Sequence, residues 1–335
     1  MRAEELDYEL PPELIAQHPA EPRDSARLLV CDRASGEVRH RHFHDLPDEL
    51  ADGDLLVVND TRVLPVRVPA RRATGGAAEV LLLEPRPDGT WEALVRPYRR
   101  LREGERLELG VLSLTLVERL GEGRAVVRPD APGGLEQALE QVGQMPLPPY
   151  IHEQPADPQR YQTVYARHPG SAAAPTAGLH FTPELLARIR ARHEVVDVTL
   201  GVGLDTFRGL AVDDLAEHEM HSEAYAVAPD AADAIRAAHD EGRRVVAVGT
   251  TSVRVLESVF ADPPAPLEGR TRLFITPGYR FHMTGAMVTN FHLPRSTLLA
   301  LVMAFAGIER TRGLYRTAVA EGYRFYSFGD ACLIV

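Results

Sequence analysis

Short apolar runs bounded by Gly, Pro and Asp recur along the chain, and their spacing changes character partway through. In residues 1–62, RLLVCDR (27–33) and DLLVVND (54–60) are such runs and predict strands. Pro11, Pro12, Pro19 and Pro22 break up any long helix in this part. From Val63 the runs shorten and several alternate apolar with polar residues: RVLPVRVPARR, AEVLLLEP, TWEALVRP, GERLELG, VLSLTLVERL and GRAVVRP. That texture predicts a small antiparallel sandwich or barrel. PGGLEQALEQVGQ (132–144) reads as a helix, and the Pro-rich QMPLPPYI (144–151) as a return connector.

The second half alternates between the two periods. TPELLARIRARH predicts a helix capped by Thr182 with Pro183 in its first turn, and EVVDVTL a strand. PDAADAIRAAHDEG predicts a helix led by Asp230, RVVAVG (244–249) a buried strand, and TTSVRVLESVF the next helix. RLFIT (272–276) reads as a strand, and a last helix falls near Arg310–Glu321. Alternation of this kind implies a parallel sheet covered by helices. The expected fold is therefore α/β: a discontinuous α/β domain of residues 1–62 and 149–335, with a small antiparallel β-barrel inserted at 63–148.

Within this frame VTNFHLPRSTLLALVMAFAG (288–307) is central. A short apolar run ends in Thr289, Asn290, His292, Arg295 and Ser296, and the segment from Thr297 is almost wholly apolar. A helix apolar all round is a buried one, and Ser296 is a natural N-cap for it. Its start would favour an anion, with Arg295 alongside. A core helix with a merely polar cap explains the same pattern.

Composition narrows the function. The chain has 335 residues, 44% hydrophobic and 25% charged, which suits a globular protein of two domains. No apolar run has the length of a membrane span and no secretory pattern opens the chain, so a cytoplasmic protein without membrane contact is expected. Cys31 and Cys332 are the only cysteines, which argues against a disulfide framework or thiolate metal site. All 37 basic residues are Arg, so lysine Schiff-base chemistry is excluded. A net charge of −11 argues against indiscriminate nucleic-acid coating. Residues 62–106 nonetheless hold ten Arg against six acidic residues, so the β-rich piece is basic within an acidic chain. Either a solvated surface or a phosphate-facing patch accounts for that.

Ligands of α/β sheets gather beyond the carboxyl ends of the strands. Four polar clusters are expected there: NDTR (Asn59, Thr61, Arg62), AAPTAGLHF (Thr176, Gly178, His180), GTTSVR (Thr250, Thr251, Ser252, Arg254) and TNFHLPRS. The GTTS turn follows a strand and opens a helix, so its N–H groups and hydroxyls could cradle a ligand. It matches neither Walker nor GxGxxG spacing. HEMHSEAYAV brings His218, His221 and Glu223 together; as a strand from His221, His221, Glu223 and Tyr225 would share a face. Two histidines without a strong third ligand are a weak metal signal, so acid–base or hydrogen-bonding duty is the reading and no metal is expected. Asp330, in the terminal SFGDACLIV, is either a turn residue or a carboxylate near the pocket.

Taken together, PTAGLHFT, HEMHSEAY, AVGTTSVRVLES, PGYRF, VTNFHLPRSTLLALV and YRFYSFGDACLI, with DLLVVNDTRVLPVR and RYQTVYA upstream, resemble the S-adenosylmethionine:tRNA ribosyltransferase-isomerase family of queuosine biosynthesis. The resemblance runs in order from about Leu6 to Ile334. It implies S-adenosylmethionine as a ribosyl donor, no metal, and a monomer acting on tRNA with GUN anticodons that carries preQ1, a 7-deazaguanine with an aminomethyl group. Epoxyqueuosine in tRNA, adenine and methionine would be the products. Set against that chemistry, His180 and His221 are acid–base candidates, followed by His292 and Asp330. Arg295 and Ser296 would hold an anion, and Thr250, Thr251, Ser252 and Arg254 the donor. Asn59, Thr61, Arg62, Thr176, Gly178, His218, Glu223 and Asn290 complete the expected substrate-binding set.

The chain also departs from the family pattern. Gly201 stands where a His is expected and Asp205 where a Gly is expected. IHE (151–153) lacks a basic residue, and RDSARLLV spaces its Ser and Arg differently. A paralogue using another deazapurine or amine acceptor and a non-catalytic tRNA-binding protein are the competing expectations.

Overall fold

The computed structural model describes residues 1–153, 157–203, 210 and 212–335. In chain order, the first elements are β1 (Arg27–Cys31), β2 (Val38–His42), α1 (Leu46–Glu49), β3 (Leu55–Asn59) and β4 (Thr61–Val63). There follow β5 (Arg67–Arg72), β6 (Ala77–Pro85), β7 (Trp91–Arg96), β8 (Arg106–Leu109), β9 (Leu112–Gly121), β10 (Arg124–Asp130) and α2 (Leu135–Val142). After β11 (His168–Ser171) come α3 (Pro183–Arg190), β12 (Glu194–Leu200), β13 (Glu223–Val227), α4 (Pro229–Asp240), β14 (Val245–Val248) and α5 (Thr250–Val259). The chain closes with β15 (Glu268–Thr271), β16 (Ala286–Asn290), α6 (Thr297–Ala306), α7 (Ile308–Ala320) and β17 (Ala331–Ile334).

Two compact units result. One comprises Met1–Arg62, Pro149–His168 and Ala174–Val335; the other is Val63–Pro148 with Pro169–Ala173. The short return segment belongs with the second unit, where Leu64 N–H donates to the Ser171 carbonyl (3.2 Å).

The first unit is built on a nine-stranded sheet in the order β15-β13-β12-β3-β14-β16-β17-β1-β2. It is mixed, not wholly parallel. β12, β3, β14 and β16 run parallel, as do β17 and β1, while β13, β15 and β2 pair antiparallel and β16 meets β17 antiparallel. Strands buried on both faces lose the alternation that signals direction, so apolar runs alone do not reveal this. Alternate residues still face opposite sides: Leu56, Val58, Val246, Val248 and Val288 pack with Phe181, Leu185 and Ile189 of the α3 region in one core.

Helix starts follow local chemistry. Thr182 Oγ1 accepts from Leu185 N (3.1 Å) with Pro183 at the first helical position, and Ser296 Oγ accepts from Leu299 N (3.2 Å). α4 differs from expectation, for Ala228 is its N-cap and Asp230 lies inside the first turn. RLFIT is not a strand. The strand lies just before it, and Leu273 instead bonds through its N–H to Thr271 Oγ1 (3.1 Å) and through its carbonyl to Arg254 Nε (3.2 Å).

The second unit is a closed antiparallel barrel, β10-β7-β6-β5-β8-β9. Closure leaves no edge strand, and Val68, Val80, Leu82, Ala93, Leu107, Leu114, Leu116 and Val127 fill its core. α2 packs on β9.

Candidate active site at the carboxyl edge of the sheet

Register decides which polar residues meet. Asn59 pairs with Val198, Val58 with Val248, and Val248 with Val288. The parallel strands β12, β3, β14 and β16 therefore end level, and their last residues form one row roughly 15 Å long at ordinary strand spacing. The NDTR, GTTS and TNFH clusters all stand on this row. PTAGLHF joins it through a short 3₁₀ turn at Thr176–His180, where Thr176 Oγ1 donates to Asn290 Oδ1 (2.9 Å). Asn290 Nδ2 in turn donates to His180 Nε2 (3.1 Å). Those two bonds orient the Asn290 amide and make Nε2 the acceptor, so the ring proton of neutral His180 sits on Nδ1.

Close packing explains two glycines. A Cβ on Gly178 would lie 2.0 Å from Tyr165 Oη, so only Gly lets this turn pass the tyrosine. Gly249 caps α5 at φ 89°, a left-handed conformation that aims the Thr250–Ser252 N–H groups along the row.

Several expected ligands prove to be structural. Asn59 stitches β3 to β12: its Nδ2 donates to Leu200 O (3.1 Å), while its Oδ1 accepts from Thr61 N and Leu200 N (both 3.1 Å). Ser252 Oγ donates back to Val248 O (2.8 Å). Ser296 Oγ donates to Leu293 O (2.7 Å) as well as capping α6, so its hydroxyl is occupied at both ends. Asp330 accepts from Arg27 N (2.9 Å) and Arg324 N (2.8 Å), and its other contact is Arg324 Nη2 (3.4 Å). It is a carboxylate that ties the last turn to β1.

The histidines divide sharply. His180 is buried against Phe43, ring centroids 4.9 Å apart. Burial, aided by Arg324 and Arg23, pushes its pKa down to about 3. His292 is buried too, its Nε2 2.7 Å from Thr289 Oγ1, and burial lowers its pKa to about 3. Both are neutral near pH 7 and far from the value a general base or acid needs. In this buried, neutral form the two rings are placed as hydrogen-bonding groups. His221 lies exposed just before β13, which starts at Glu223, so the expected shared strand face holds only from Glu223 to Tyr225. His218, half-buried, stacks edge-on with Phe274 at 5.2 Å; burial and the nearby His221 lower its pKa.

Glu223 and Arg254 form a buried ion pair, each side chain 7% exposed. Glu223 also accepts Gly203 N (3.1 Å), so the carboxylate of the HEMHSE set is not offered to a metal. Among the described residues, Arg254 Nη2 is buried without a partner, and one turn earlier Thr251 Oγ1 is likewise buried and unsatisfied. Residues three apart lie on one helix face. Buried polar atoms rarely lack partners, so two on one helix face at this row form a candidate polar contact for a ligand. Thr61 and Thr250 are buried beside them on the same row, and Arg62 is half-buried. Arg295 is exposed at φ 52°, its backbone bridging Leu6 and Leu210, with no guanidinium ion pair among the described residues. Gly201 bonds to Ala224 O (2.9 Å), and Asp205 lies outside the described residues.

Sequence reasoning missed two carboxylates. Asp60 is buried and binds Thr199 Oγ1 (2.7 Å), His168 Nδ1 (2.9 Å) and Arg167 (3.3 Å). Glu257 accepts His282 N (2.8 Å), Met283 N (3.2 Å), Thr284 N (2.9 Å) and Thr284 Oγ1 (2.7 Å), fixing the PGYRF loop to α5. Each stands inside a motif that carries the resemblance, but acidic residues at strand ends and on helices are ordinarily solvated.

A family model described as queuosine biosynthesis protein matches residues 3–334. The chain belongs to the queuosine biosynthesis protein family. Among curated relatives, the S-adenosylmethionine:tRNA ribosyltransferase-isomerases of Symbiobacterium thermophilum and Moorella thermoacetica are each 55% identical, with all of both chains covered. A crystal structure of S-adenosylmethionine tRNA ribosyltransferase from Thermotoga maritima is 37% identical, covers 99% of this chain and 100% of its own, and superposes with a TM-score of 0.57. The α/β-plus-barrel architecture of this queuosine biosynthesis family member is thus shared with a solved relative. No helix among the described residues is long and apolar enough to cross a membrane.

Proposed function

We propose that this chain is an S-adenosylmethionine:tRNA ribosyltransferase-isomerase that moves the ribosyl group of S-adenosylmethionine onto the aminomethyl nitrogen of preQ1 in the wobble position of GUN-anticodon tRNA. The observation that carries the reading is the pair of buried, unsatisfied groups, Thr251 Oγ1 and Arg254 Nη2, on the helix that opens from the carboxyl edge. A guanidinium nitrogen and a hydroxyl at a helix start suit a carboxylate such as that of the donor's methionine. Glu223 holds Arg254 in place, and Asn290 holds His180 so that its Nδ1–H is a fixed donor.

In this reading a base removes a C5′ proton made acidic by the sulfonium. Adenine leaves as an acid protonates it, the preQ1 amine adds to the opened ribose skeleton and loses a proton, and expulsion of methionine closes the epoxide. The exposed His221, with His218 beside it, is the candidate for proton transfer; His180 and His292 bind and orient as neutral rings. Thr61, Thr176, Thr250 and Asn290 line the donor's row, and Arg62 and Arg295 are anion-facing. The protein acts in the cytoplasm as a monomer, without a metal.

Incubation with S-adenosylmethionine and preQ1-tRNA, followed by mass spectrometry of RNA and small molecules, tests this. Adenine, methionine and epoxyqueuosine should form in equal amounts. Gly201, in place of the family's His, favours a second reading in which the acceptor differs. Donor turnover without epoxyqueuosine in the RNA would select it. Replacing His221 by Ala should slow adenine release by about a hundredfold or more; an undiminished rate would remove His221 from the mechanism.

A further inference from the structure

The barrel carries an open cleft of about 900 Å³ lined by Tyr98, Arg99, Arg100, Arg119 and Glu122 among others. Its charge is lopsided: three guanidinium groups against one carboxylate. Elsewhere on the barrel five arginines pair with acids, Arg67 with Glu79, Arg72 with Glu105, Arg86 and Arg124 with Glu92, and Arg106 with Asp130, while Arg71, Arg96, Arg102 and Arg128 stand singly, without an ion pair among the described residues. Among the described residues, Arg99, Arg100 and Arg119 make no ion pair, and all three are exposed. An acidic chain whose barrel leaves three neighbouring cations unneutralised has kept a local positive field there.

The cleft is also built, not merely charged. Arg119 lies over the Tyr98 ring, its guanidinium carbon 4.2 Å from the centroid, and Tyr98 Oη accepts from Gly121 N (2.9 Å). The tyrosine is thereby fixed to β9, and its ring holds the Arg119 guanidinium against it. The turn bearing Arg99 and Arg100 is pinned in its own way: Arg72, paired with Glu105, donates to Arg100 O (2.7 Å). Beside Arg119 on β9 stand Val117 and Leu120, 36% and 38% exposed, two of the three exposed large hydrophobic side chains among the described residues. Free cations, a flat guanidinium and bare apolar surface together match a single-stranded nucleic acid, whose phosphates, bases and sugars need all three.

We infer that this cleft is an RNA-binding site of the barrel, taking the phosphodiester backbone on Arg99 and Arg100 and stacking an unpaired base on the Tyr98–Arg119 pair. The inference rests on the tRNA-acting reading and adds where on the barrel the RNA is gripped. An acidic protein partner would use the charges but gain nothing from the fixed guanidinium plane.

The test compares wild type, the double variant Arg99→Ala/Arg100→Ala, Arg119→Ala and Arg119→Lys, using unmodified tRNA and fluorescence anisotropy from 50 to 200 mM KCl. The double variant should bind tRNA at least tenfold more weakly. Its dependence of log K on log salt should be shallower by about 0.7–0.9 for each phosphate that it no longer neutralises. Arg119→Lys should keep the salt slope yet lose several-fold in affinity, since lysine restores charge but not the stacking plane. S-adenosylmethionine binding measured by calorimetry should be unchanged in all variants. Unchanged tRNA affinity and salt slope in the double variant, with a wild type that binds tRNA and releases adenine, would overturn the cleft and leave the proposed function standing. A wild type that neither binds tRNA nor releases adenine would overturn both. Affinity lowered equally in Arg119→Ala and Arg119→Lys supports stacking; full rescue by Lys overturns that part.

Discussion

At the carboxyl edge of the sheet, polar side chains are buried and nearly every one is tied to a neighbour; in the barrel cleft, three exposed cations stand in water against a single lining carboxylate. Asn290, His180 and Asn59 have fixed partners within 3.2 Å, whereas Arg99, Arg100 and Arg119 have no ion pair among the described residues. The difference follows from solvation. Taking a polar group out of water is costly unless a partner replaces the water, so a buried site is held rigid by its own bonds. An exposed cation meets no such requirement, and its field reaches about a Debye length into solvent. The first arrangement suits orienting a small donor, the second drawing in a large polyanion.

Replacing one member of an ion pair in each region should give the widest contrast. Arg254→Ala leaves Glu223 buried and unpaired, which should cost about 3–5 kcal/mol in urea unfolding and abolish turnover. Arg67→Ala on the barrel, whose pair with Glu79 is 39% and 30% exposed, should cost about 1 kcal/mol or less. Equal losses would erase the distinction.

Acid should separate the regions next. His180 and His292 have pKa values near 3 in the folded chain against about 6.5 unfolded, so the unfolded state takes up their protons first. Stability is full above pH 6.5 and falls as pH drops from there toward 3, by about 1.4 kcal/mol per pH unit for each ring. His180→Gln should roughly halve that slope between pH 6 and 4.5; an unaltered slope would mean the ring is not buried neutral.

Asn290→Ala removes an acceptor from Thr176 and a donor from His180, for a loss of about 1–3 kcal/mol by thermal unfolding and a larger fall in adenine release than in tRNA affinity. A similarly small effect should come from Tyr98→Phe, which takes the acceptor from Gly121 N at a partly exposed site: about 0.5–1.5 kcal/mol, with tRNA binding reduced only slightly. A large loss of tRNA binding there would show that the hydroxyl itself meets the RNA.

Much of this is legible in the residues. Period-two runs broken by turns mark the barrel strands, and Thr182–Pro183 and Ser296 mark helix starts, because caps and turn residues act over three or four positions. Three of the four polar clusters can be placed at strand ends by the same local logic, while PTAGLHF reaches the row through a 3₁₀ turn that follows no strand of the main sheet. Misreadings arise where partners lie far along the chain. RLFIT is apolar enough for a strand, yet a helix arginine, Arg254, takes the Leu273 carbonyl. Asp330 reads locally as a pocket carboxylate, yet the backbone of Arg27, some three hundred residues away, claims it.

Family membership, the α/β elements, the inserted barrel and the residue types of the site all follow from the linear chain, since they rest on periodicity, capping and long contiguous motifs. Strand direction, which polar groups are occupied, and which histidines are free to carry protons come only with the packed molecule. Those properties are set by burial and by hydrogen-bond partners distant in sequence, and neither quantity is written in any local stretch of residues.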